Sequence, residues 1–400
     1  MSVGYVFVHS CMAGVRMTAP LLALRQGHSA ASVGVLMALF ALTQVFLALP
    51  AGRFADRHGF KRPMMLAMMA AVAGTSAAVM WPIFPVLCCT ALATGGAVGV
   101  ASIALQRHVG RIAQTPSQLR QAFSWMSIGP AIANFAGPFL AGFTIDHAGF
   151  RSAFLLMALM PLATWLWIGP MHEVPPVTHP HGTKRGRAWD LWRETSFRRL
   201  LLVNWLIAAC WDVHTFMVPV LGNERGFSAS VIGTILGSFA VAAALIRVAL
   251  PIVASRVHEW TLVGTVMIAT AVLFAIYPLL PAATAMAVCS VLLGFALGSV
   301  QPMVMSMLHQ ITPEHRHGDA VAMRLMVINA SSVAMPMLSG AAGAVAGVSA
   351  VFWLAGAVVG GGSRLAFALR DAFAGNAVST AAPTATPGAA RDVTDDRTSG

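Results

Sequence analysis

Charged residues are scarce in this 400-residue chain: Asp, Glu, Lys and Arg make up 10% of it, whereas hydrophobic residues make up 57%. A soluble domain of average composition carries about 25% charged residues. The polar residues are therefore too few to cover the two or three soluble domains that a chain of this length would form. This composition excludes a soluble enzyme and indicates that much of the surface faces lipid.

The chain also lacks the motifs that hold metals, disulfides or nucleotides. Its five cysteines lie inside apolar stretches and form no C-x-x-C pair, and no G-x-x-x-x-G-K-[ST] sequence occurs. The sequence gathers neither a nucleophile with its base nor a set of metal ligands at one membrane depth. We therefore expect no metal, no cofactor, no nucleotide-driven pumping and no enzymatic activity.

The formal net charge is +11, but the basic residues do not suggest a nucleic-acid partner. A nucleic-acid-binding protein gathers its basic residues on one folded face. Here they lie in short gaps between long apolar stretches, as in proteins that cross a membrane. We expect membrane lipids around the chain and no nucleic acid.

Long apolar segments dominate the sequence. A hydrocarbon core roughly 30 Å thick needs about 20 apolar residues per helix. Twelve segments meet this requirement, and the first lacks the charged start of a cleaved signal peptide. They lie at about residues 3–24, 30–51, 63–82, 84–106, 121–145, 151–170, 200–221, 229–252, 260–280, 282–307, 319–342 and 345–367. The sequence thus predicts an all-α membrane protein with twelve transmembrane helices.

Basic residues mark alternate gaps between these segments. If the chain starts in the cytoplasm, the inner gaps hold fifteen Lys and Arg residues, and the outer gaps hold only Arg25, Arg151 and Arg225. Basic residues favour the cytoplasmic side of a membrane. We predict an integral protein of the cell's cytoplasmic membrane with both termini in the cytoplasm.

The second half of the sequence repeats the first in the same orientation. At an offset of 199 Pro20 aligns with Pro219, and at an offset of 198 Pro138 aligns with Pro336. Further aligned pairs are Gly27 with Gly226, Gly34 with Gly233, Gly142 with Gly340 and Gly149 with Gly347. Two parallel six-helix halves are the geometry of one large class of transporters, whose substrate site lies between the halves near midmembrane.

This repeat sets the predicted domain boundaries. We expect a six-helix bundle at residues 1–170, a basic cytoplasmic linker at 171–199, a second six-helix bundle at 200–367 and a disordered cytoplasmic tail at 368–400. The linker either binds anionic lipid headgroups or is a solvated connection that follows the charge bias.

The gap after the second segment carries a motif, GRFADRHGFKR from Gly52 to Arg62. It resembles the loop signature of the major facilitator superfamily, G-x-x-x-D-R-x-G-x-[KR]-[KR], and the resemblance covers residues 1–367. It implies two pseudo-symmetric six-helix bundles and a conformational latch in which Asp56 meets the start of the eleventh segment. The latch residues would be Gly52, Asp56, Arg57, Gly59, Lys61 and Arg62.

Two features complicate the latch. Asp319 already lies near the start of the eleventh segment, so Arg57, Arg316 or Arg324 would have to lie between the two carboxylates. Ser255 stands where the second half would need its carboxylate, which makes any latch one-sided. The alternative is that the loop only anchors the topology.

The fifth segment contains Gly137, Pro138 and Gly142, a pattern similar to the Gly-Pro signature of exporters in the same superfamily. Pro138 frees a backbone carbonyl and bends the helix, while the small residues allow another helix to approach closely. A packing kink explains the pattern as well as an antiport signature does. The fourth segment lacks the arginine that drug exporters of this superfamily carry.

Ionisable groups inside the membrane cost roughly 2.5 to 3.5 kcal/mol each on insertion scales. Of fourteen acidic residues, only Asp212 falls in the interior of a predicted segment, and the others fall in gaps, at segment ends or in the tail. Asp212 lies on a polar face of the seventh segment together with Asn204 and Thr215. The repeat aligns this face with a polar face of the first segment, which carries Tyr5, His9 and Arg16. We expect both faces to line one cavity, with Arg16 and Asp212 about 4.5 Å apart in depth.

These residues suggest a transport mechanism. Asp212 would bind and release a proton, and Arg16 would be its counter-ion or would clamp an anionic group of the substrate. The alternative is a buried pair that only holds the two halves together. His214 lies roughly 200° around the helix from Asp212 and does not share its face.

The complete set of predicted cavity residues is Tyr5, His9, Arg16, Asn204, Asp212, His214, Thr215, Gln301, Arg324 and Asn329. For Gln301, Gln44 and Asn134 an interhelical hydrogen bond is the alternative. Arg247 and Arg324 lie near inner helix ends, where the side chain can instead extend to the interface.

The sequence as a whole predicts a secondary active transporter that works by alternating access. We expect a monomer that exports small organic substrates in exchange for protons. Two alternatives remain: a proton-coupled uptake symporter of an organic anion or sugar, and a non-transporting membrane scaffold or sensor.

Overall fold

The structure, a computed structural model, describes residues 2–112, 116–168, 188–253, 258–313 and 316–370. These residues form α-helices and short 3-10 helices, and no strand is found among them. The helices are α1 (Ser2–Arg25), α2 (Ala30–His58), α3 (Lys61–Met80), α4 (Phe84–Ile112), α5 (Pro116–Ile168), α6 (Thr195–Glu224), α7 (Ala229–Val253), α8 (Glu259–Ile276), α9 (Ala283–Ile311), α10 (His317–Ala346) and α11 (Val348–Phe367), with 3-10 helices at Ala188–Arg193 and Tyr277–Leu279.

Helix α5 contains the fifth and the sixth predicted segments. Its apolar part, Gly129–Leu166, has 38 residues, which is ~57 Å of helix and about twice the thickness of a hydrocarbon core. At Gly149 the backbone leaves the helical conformation, with φ 82° and ψ 174°. Glycine adopts a positive φ readily because it has no Cβ. The expected all-α membrane fold is confirmed. The break at Gly149 divides α5 into the fifth and the sixth predicted segments, so the described helices contain all twelve predicted segments.

Several helices continue past the predicted segment ends. Helix α2 reaches His58, so residues 52–58 of the predicted loop Gly52–Arg62 are helical, and α4 reaches Ile112. Hydropathy marks where lipid ends, whereas backbone hydrogen bonding continues beyond that boundary. Helix α6 likewise begins within the predicted linker. Residues 171–187 of that linker and the tail beyond residue 370 lie outside the described residues, and the domain boundaries stay a prediction.

The repeat is visible in the backbone. Gly27 and Gly226 both have positive φ values, 85° and 71°, and Gly149 and Gly347 both have a φ of 82°. Each pair is related by the offset that the sequence alignment gave. The same turn conformations therefore recur at equivalent points of the two halves.

We call α1–α5 the first half, α6–α11 the second half, and the end of the bundle where α1 passes into α2 the distal end. The halves meet where α2 packs on α10, α5 packs on α7 and α1 packs on α6. Gly34 lies against the carbonyl oxygen of Pro336, and Gly233 lies against the carbonyl oxygen of Pro138. These pairs are equivalent under the repeat, so the α2–α10 and α5–α7 crossings are two copies of one contact.

The outer surface of the described bundle is apolar. Eleven helices are long and apolar enough to cross a membrane, and large hydrophobic side chains such as Phe46, Val248 and Leu338 are exposed on them. A soluble monomer rarely exposes so much contiguous apolar surface. The chain is accordingly an integral membrane protein.

Candidate functional site

Helices α1 and α6 lie at the centre of the bundle. Their apolar parts are 78% and 67% buried, the two highest values among the candidate spans of the described residues. They are equivalent under the repeat, and they contact each other across the halves. Their polar side chains therefore lie in the interior rather than toward lipid.

The structure brings Arg16 and Asp212 together across the two halves. Arg16 Nη2 lies 3.9 Å from Asp212 Oδ1, and the side chains are 27% and 5% exposed. This distance is that of an ion pair but exceeds that of a direct hydrogen bond. The two charges therefore attract each other electrostatically without a direct hydrogen bond between them.

The second half holds the Asp212 carboxylate from another side. The Ser331 hydroxyl donates to Oδ2 at 3.2 Å, and the Ser332 hydroxyl lies 3.3 Å from each carboxylate oxygen. Sequence reasoning missed both serines and selected Asn329, which is half-buried two residues earlier in α10. The signal available was the pair of adjacent hydroxyls about two turns beyond Arg324 on the same helix.

On the first half, the predicted polar face of α1 continues away from Arg16. His9 interacts with Asn134 of α5, and its ring centroid lies 5.7 Å from that of Tyr5. Tyr5 in turn interacts with Ser102 of α4. These side chains form a polar line along α1, and His9 Nδ1 and Arg16 Nε are buried without a hydrogen-bond partner among the described residues.

A small cavity of about 60 Å³ lies between the halves beside this pair. It is lined by Ala13, Arg16, Met17, Met37, Asn134, Pro138, Trp211, Thr215, Leu236, Phe239 and Ala240. Pockets that hold small organic ligands usually have about 300–1,000 Å³. The cavity would therefore have to widen before such a molecule could fit.

Thr215 and Asn204 occupy the predicted face of α6. The Thr215 hydroxyl donates to the backbone carbonyls of Trp211 and Asp212, at 3.0 and 3.2 Å, while its side chain lines the cavity. Asn204 lies two turns from Asp212 and accepts a hydrogen bond of 3.1 Å from Arg324 Nε. The structure thus joins two residues that the sequence analysis had treated separately.

His214 lies in the core of the second half rather than in the cavity. It is fully buried, its Nε2 lies 3.0 Å from Ser290 Oγ, and the Tyr277 hydroxyl lies 2.8 Å from the same Ser290 oxygen. Its ring stacks on Phe239 at 4.3 Å. The uninterrupted helix α6 keeps His214 away from the Asp212 face, as the helical periodicity predicts.

Two glutamine candidates make interhelical contacts. Gln301 Oε1 accepts a hydrogen bond of 3.1 Å from Arg247 Nη2, which joins α9 to α7. Gln44 Nε2 lies 3.7 Å from Met12 Sδ. The Arg247 guanidinium also lies 5.7 Å from the Trp211 ring centroid. For both glutamines, these contacts favour the alternative of an interhelical hydrogen bond over contact with a ligand.

The Gly-Pro pattern of α5 forms a close contact surface on both sides. A Cβ on Gly137 would lie 2.6 Å from the Ser10 carbonyl oxygen of α1, whereas the Pro138 carbonyl faces Gly233 of α7. Gly142 lies against Ala229 of α7. These contacts favour the packing alternative, and the antiport signature stays a prediction.

The predicted latch is only partly within the described residues. Gly59 makes the turn after α2 with a φ of 74°, Gly52 is buried, Lys61 is half-buried, and Arg57 and Arg62 are exposed. The Asp56 side chain lies outside the described residues. The contact between Asp56 and α10 therefore stays a prediction.

A cross-half contact that the sequence analysis missed lies at the distal end. The Asp146 carboxylate of α5 accepts hydrogen bonds from the backbone amides of Ala229 and Ser230, at 3.0 and 2.7 Å. These amides belong to the first turn of α7, whose unpaired N–H groups favour a negative charge. The first half thus caps a helix of the second half.

Comparisons with known proteins agree on the fold. The family model described as "Major Facilitator Superfamily" matches residues 1–285 and 200–390. No curated protein matches the chain. A bacterial homolog of the human lysosomal transporter Spinster, solved in an inward-facing and occupied conformation, is similar with a TM-score of 0.75 and 13% identity, covering 93% of this chain and 97% of that one.

Two further solved structures have the same fold. A POT family transporter in complex with 5-aminolevulinic acid gives a TM-score of 0.73 at 13% identity, with 92% of this chain and 95% of that one covered. The nucleoside transporter NupG gives 0.71 at 16% identity, with 93% and 98% covered. At such identities the likeness concerns the fold alone.

Proposed function

The chain belongs to the Major Facilitator Superfamily, and from this premise we propose that it is a proton-coupled secondary transporter that exports small organic compounds by alternating access. The two halves would rock about the central helices α1 and α6. Protons moving inward down their gradient would drive the substrate outward.

The Arg16–Asp212 pair carries this proposal. The distance of 3.9 Å joins a cation of the first half to a carboxylate of the second half. When Asp212 binds a proton, its negative charge is lost, and with it the attraction that holds α1 to α6 at this level. Releasing the proton restores the pair. A proton can in this way control whether the halves separate.

The distal contacts support a rocking motion. The α2–α10 and α5–α7 crossings bring backbone against backbone at Gly34 and Gly233, and Asp146 adds a charged cap to one of them. Two equivalent contacts on opposite sides of the central pair would form a symmetric closure of the distal end. The inward-facing and outward-facing states would differ in whether these contacts are closed.

A second candidate is uptake of an organic anion together with protons. The observation that favours it is a second buried guanidinium: Arg324 is 5% exposed and hydrogen-bonds a neutral amide, Asn204. The direction of net flux under an imposed pH gradient separates uptake from export. A scaffold or sensor would give no gradient-driven flux in either direction.

The experiment is a transport screen in proteoliposomes with and without a pH gradient. We expect gradient-driven flux of at least one small organic compound through the wild type. Asp212→Asn and Arg16→Ala should each abolish this flux while the protein still inserts, because one cannot bind the proton and the other removes the counter-ion.

Matched controls are Asp190→Asn and Arg151→Ala, which remove the same charges from exposed positions. Both should transport like the wild type. Normal gradient-driven flux through Asp212→Asn and Arg16→Ala would refute the proposed coupling.

The orientation of the chain rests on the bias of fifteen inner against three outer basic residues. We propose that both termini lie in the cytoplasm and that the distal end faces outward from the cytoplasmic membrane. The protein would act as a monomer surrounded by lipid.

A further inference from the structure

Arg324 and Asn204 form a second polar site where α10 packs on α6. Arg324 Nε donates to Asn204 Oδ1 at 3.1 Å, and both residues are 5% exposed. Asn204 precedes Asp212 by eight residues of α6, which places this site ~12 Å from the carboxylate along the helix axis. It is therefore separate from the Arg16–Asp212 pair.

The charge of this site is not balanced by the residues that the structure describes. In those parts of the chain, no carboxylate lies within 4.0 Å of the Arg324 guanidinium, whereas Arg16 has Asp212 at 3.9 Å. A buried charge without an opposite charge is unfavourable in a low-dielectric interior. The site thus has a positive charge and a neutral amide, and it favours an anion.

The remaining hydrogen-bonding groups are donors. Asn204 Nδ2 is buried and has no hydrogen-bond partner among the described residues. Arg324 uses Nε for Asn204, so its two Nη groups remain for another molecule. The free groups of the site are thus N–H donors of the planar Arg324 guanidinium and of the neighbouring Asn204 amide. Such donors match a ligand group that has two acceptor oxygens and no proton to donate.

From this arrangement we propose that Arg324 and Asn204 bind the carboxylate of a small organic anion. The guanidinium would pair with both carboxylate oxygens, and Asn204 Nδ2 would donate to one of them. This inference deepens the proposed function and rests on it, since the anion would be the transported substrate. The proton site at Asp212 would remain available while the carboxylate is bound.

Binding is tested on the purified full-length chain in detergent, without any gradient. The melting temperature is measured at constant ionic strength against acetate, butyrate and benzoate, and against the matching amides acetamide, butyramide and benzamide. We expect at least one carboxylate to raise the melting temperature in a saturable way while its amide does not, because the amide lacks the charge.

Two variants locate the effect. Arg324→Gln removes the charge and should raise the apparent Kd of the carboxylate at least tenfold. Asn204→Asp places a carboxylate beside Arg324 inside the protein, so it should fold well and exclude the added anion to the same degree. Arg151→Gln, which removes an exposed arginine, should bind like the wild type.

The proposal is overturned if no carboxylate shifts the wild type more than its amide, or if Asn204→Asp binds the carboxylate with wild-type affinity. Should Arg324→Gln fail to fold, Asn204→Asp decides alone. Because this assay contains no gradient, binding without gradient-driven flux would remove the proposed transport, whereas flux without carboxylate binding would remove only this site.

Discussion

The buried carboxylate of Asp212 is held by groups from two halves. Arg16 comes from α1 at 3.9 Å, while Ser331 and Ser332 come from α10 at 3.2 to 3.3 Å. The serines belong to the same half as Asp212 and would keep it oriented if Arg16 moved away during the proposed transport cycle. The carboxylate is therefore positioned by its own half and attracted by the other half, as a proton-controlled contact requires.

A substitution at His214 tests whether this side chain belongs to the hydrogen-bonded core of the second half or to the cavity. His214→Phe should lower the melting temperature, because the variant loses the hydrogen bond to Ser290 while it retains a ring that can stack on Phe239. A typical hydrogen bond contributes about 0.5–1.5 kcal/mol net, and the loss should stay within this range because Ser290 keeps its hydrogen bond to the Tyr277 hydroxyl.

The measurement is thermal unfolding of the purified variant beside wild type and Tyr277→Phe. Tyr277→Phe removes the other hydroxyl on Ser290 and should lower the melting temperature in the same direction. If His214→Phe melts like the wild type, His214 does not belong to a hydrogen-bonded core.

Among the elements, helix α7 begins differently from its counterpart α2. Both have a local serine cap: Ser29 accepts from Ser32 N, and Ser228 accepts from Val231 N, each at 3.3 Å. Only α7 is also capped by Asp146 from the other half, since Ala344 stands at the equivalent position of α10. At the distal end, the α5–α7 crossing thus has a charged cap, whereas the equivalent α2–α10 crossing has an alanine at that position.

Asp146→Ala should weaken the contact between α5 and α7. Loss of a helix cap costs about 0.5–2 kcal/mol, which corresponds to a roughly two- to thirty-fold shift in population toward separated distal ends. Spin labels at the exposed positions Phe143 and Thr234 would report this shift as a longer distance between α5 and α7.

Glu224→Ala is the matched control, because Glu224 is an exposed carboxylate of α6 within the second half. It should leave the distance distribution unchanged. An unchanged distribution in Asp146→Ala would mean that the carboxylate does not hold the halves together.

At the scale of the whole molecule, two equivalent crossings connect the halves. Gly34 and Gly233 each face a proline carbonyl of the opposite half, so neither position has room for a side chain. The pseudo-symmetry predicts that a substitution in one crossing changes the stability of the protein as much as the equivalent substitution in the other crossing.

Gly34→Ala and Gly233→Ala should each destabilise the protein by about 1–3 kcal/mol, since the added methyl group forces backbones apart. Thermal unfolding should show similar losses for the two variants. Gly361→Ala is the control, because nothing lies within 4 Å of a Cβ at that position. A large loss in only one of the two variants would contradict the equivalence of the crossings.

The sequence by itself determined the class of molecule, the repeat and the central pair. Twelve apolar segments follow from composition, because lipid selects apolar side chains without regard to tertiary contacts. The 199-residue offset related α1 to α6, and helical periodicity then placed Arg16 and Asp212 on facing polar surfaces. Each of these inferences needed only spacing along the chain.

Only the tertiary structure decided which groups complete these surfaces. Ser331 and Ser332 reach Asp212, Arg324 reaches Asn204, and Asp146 reaches the amides of α7. Those partners lie 83 to 120 residues apart in the chain, and they meet because helices from different parts of the sequence pack side by side. Periodicity fixes the face of one helix, but the rotation and height of its neighbour depend on how the whole bundle packs.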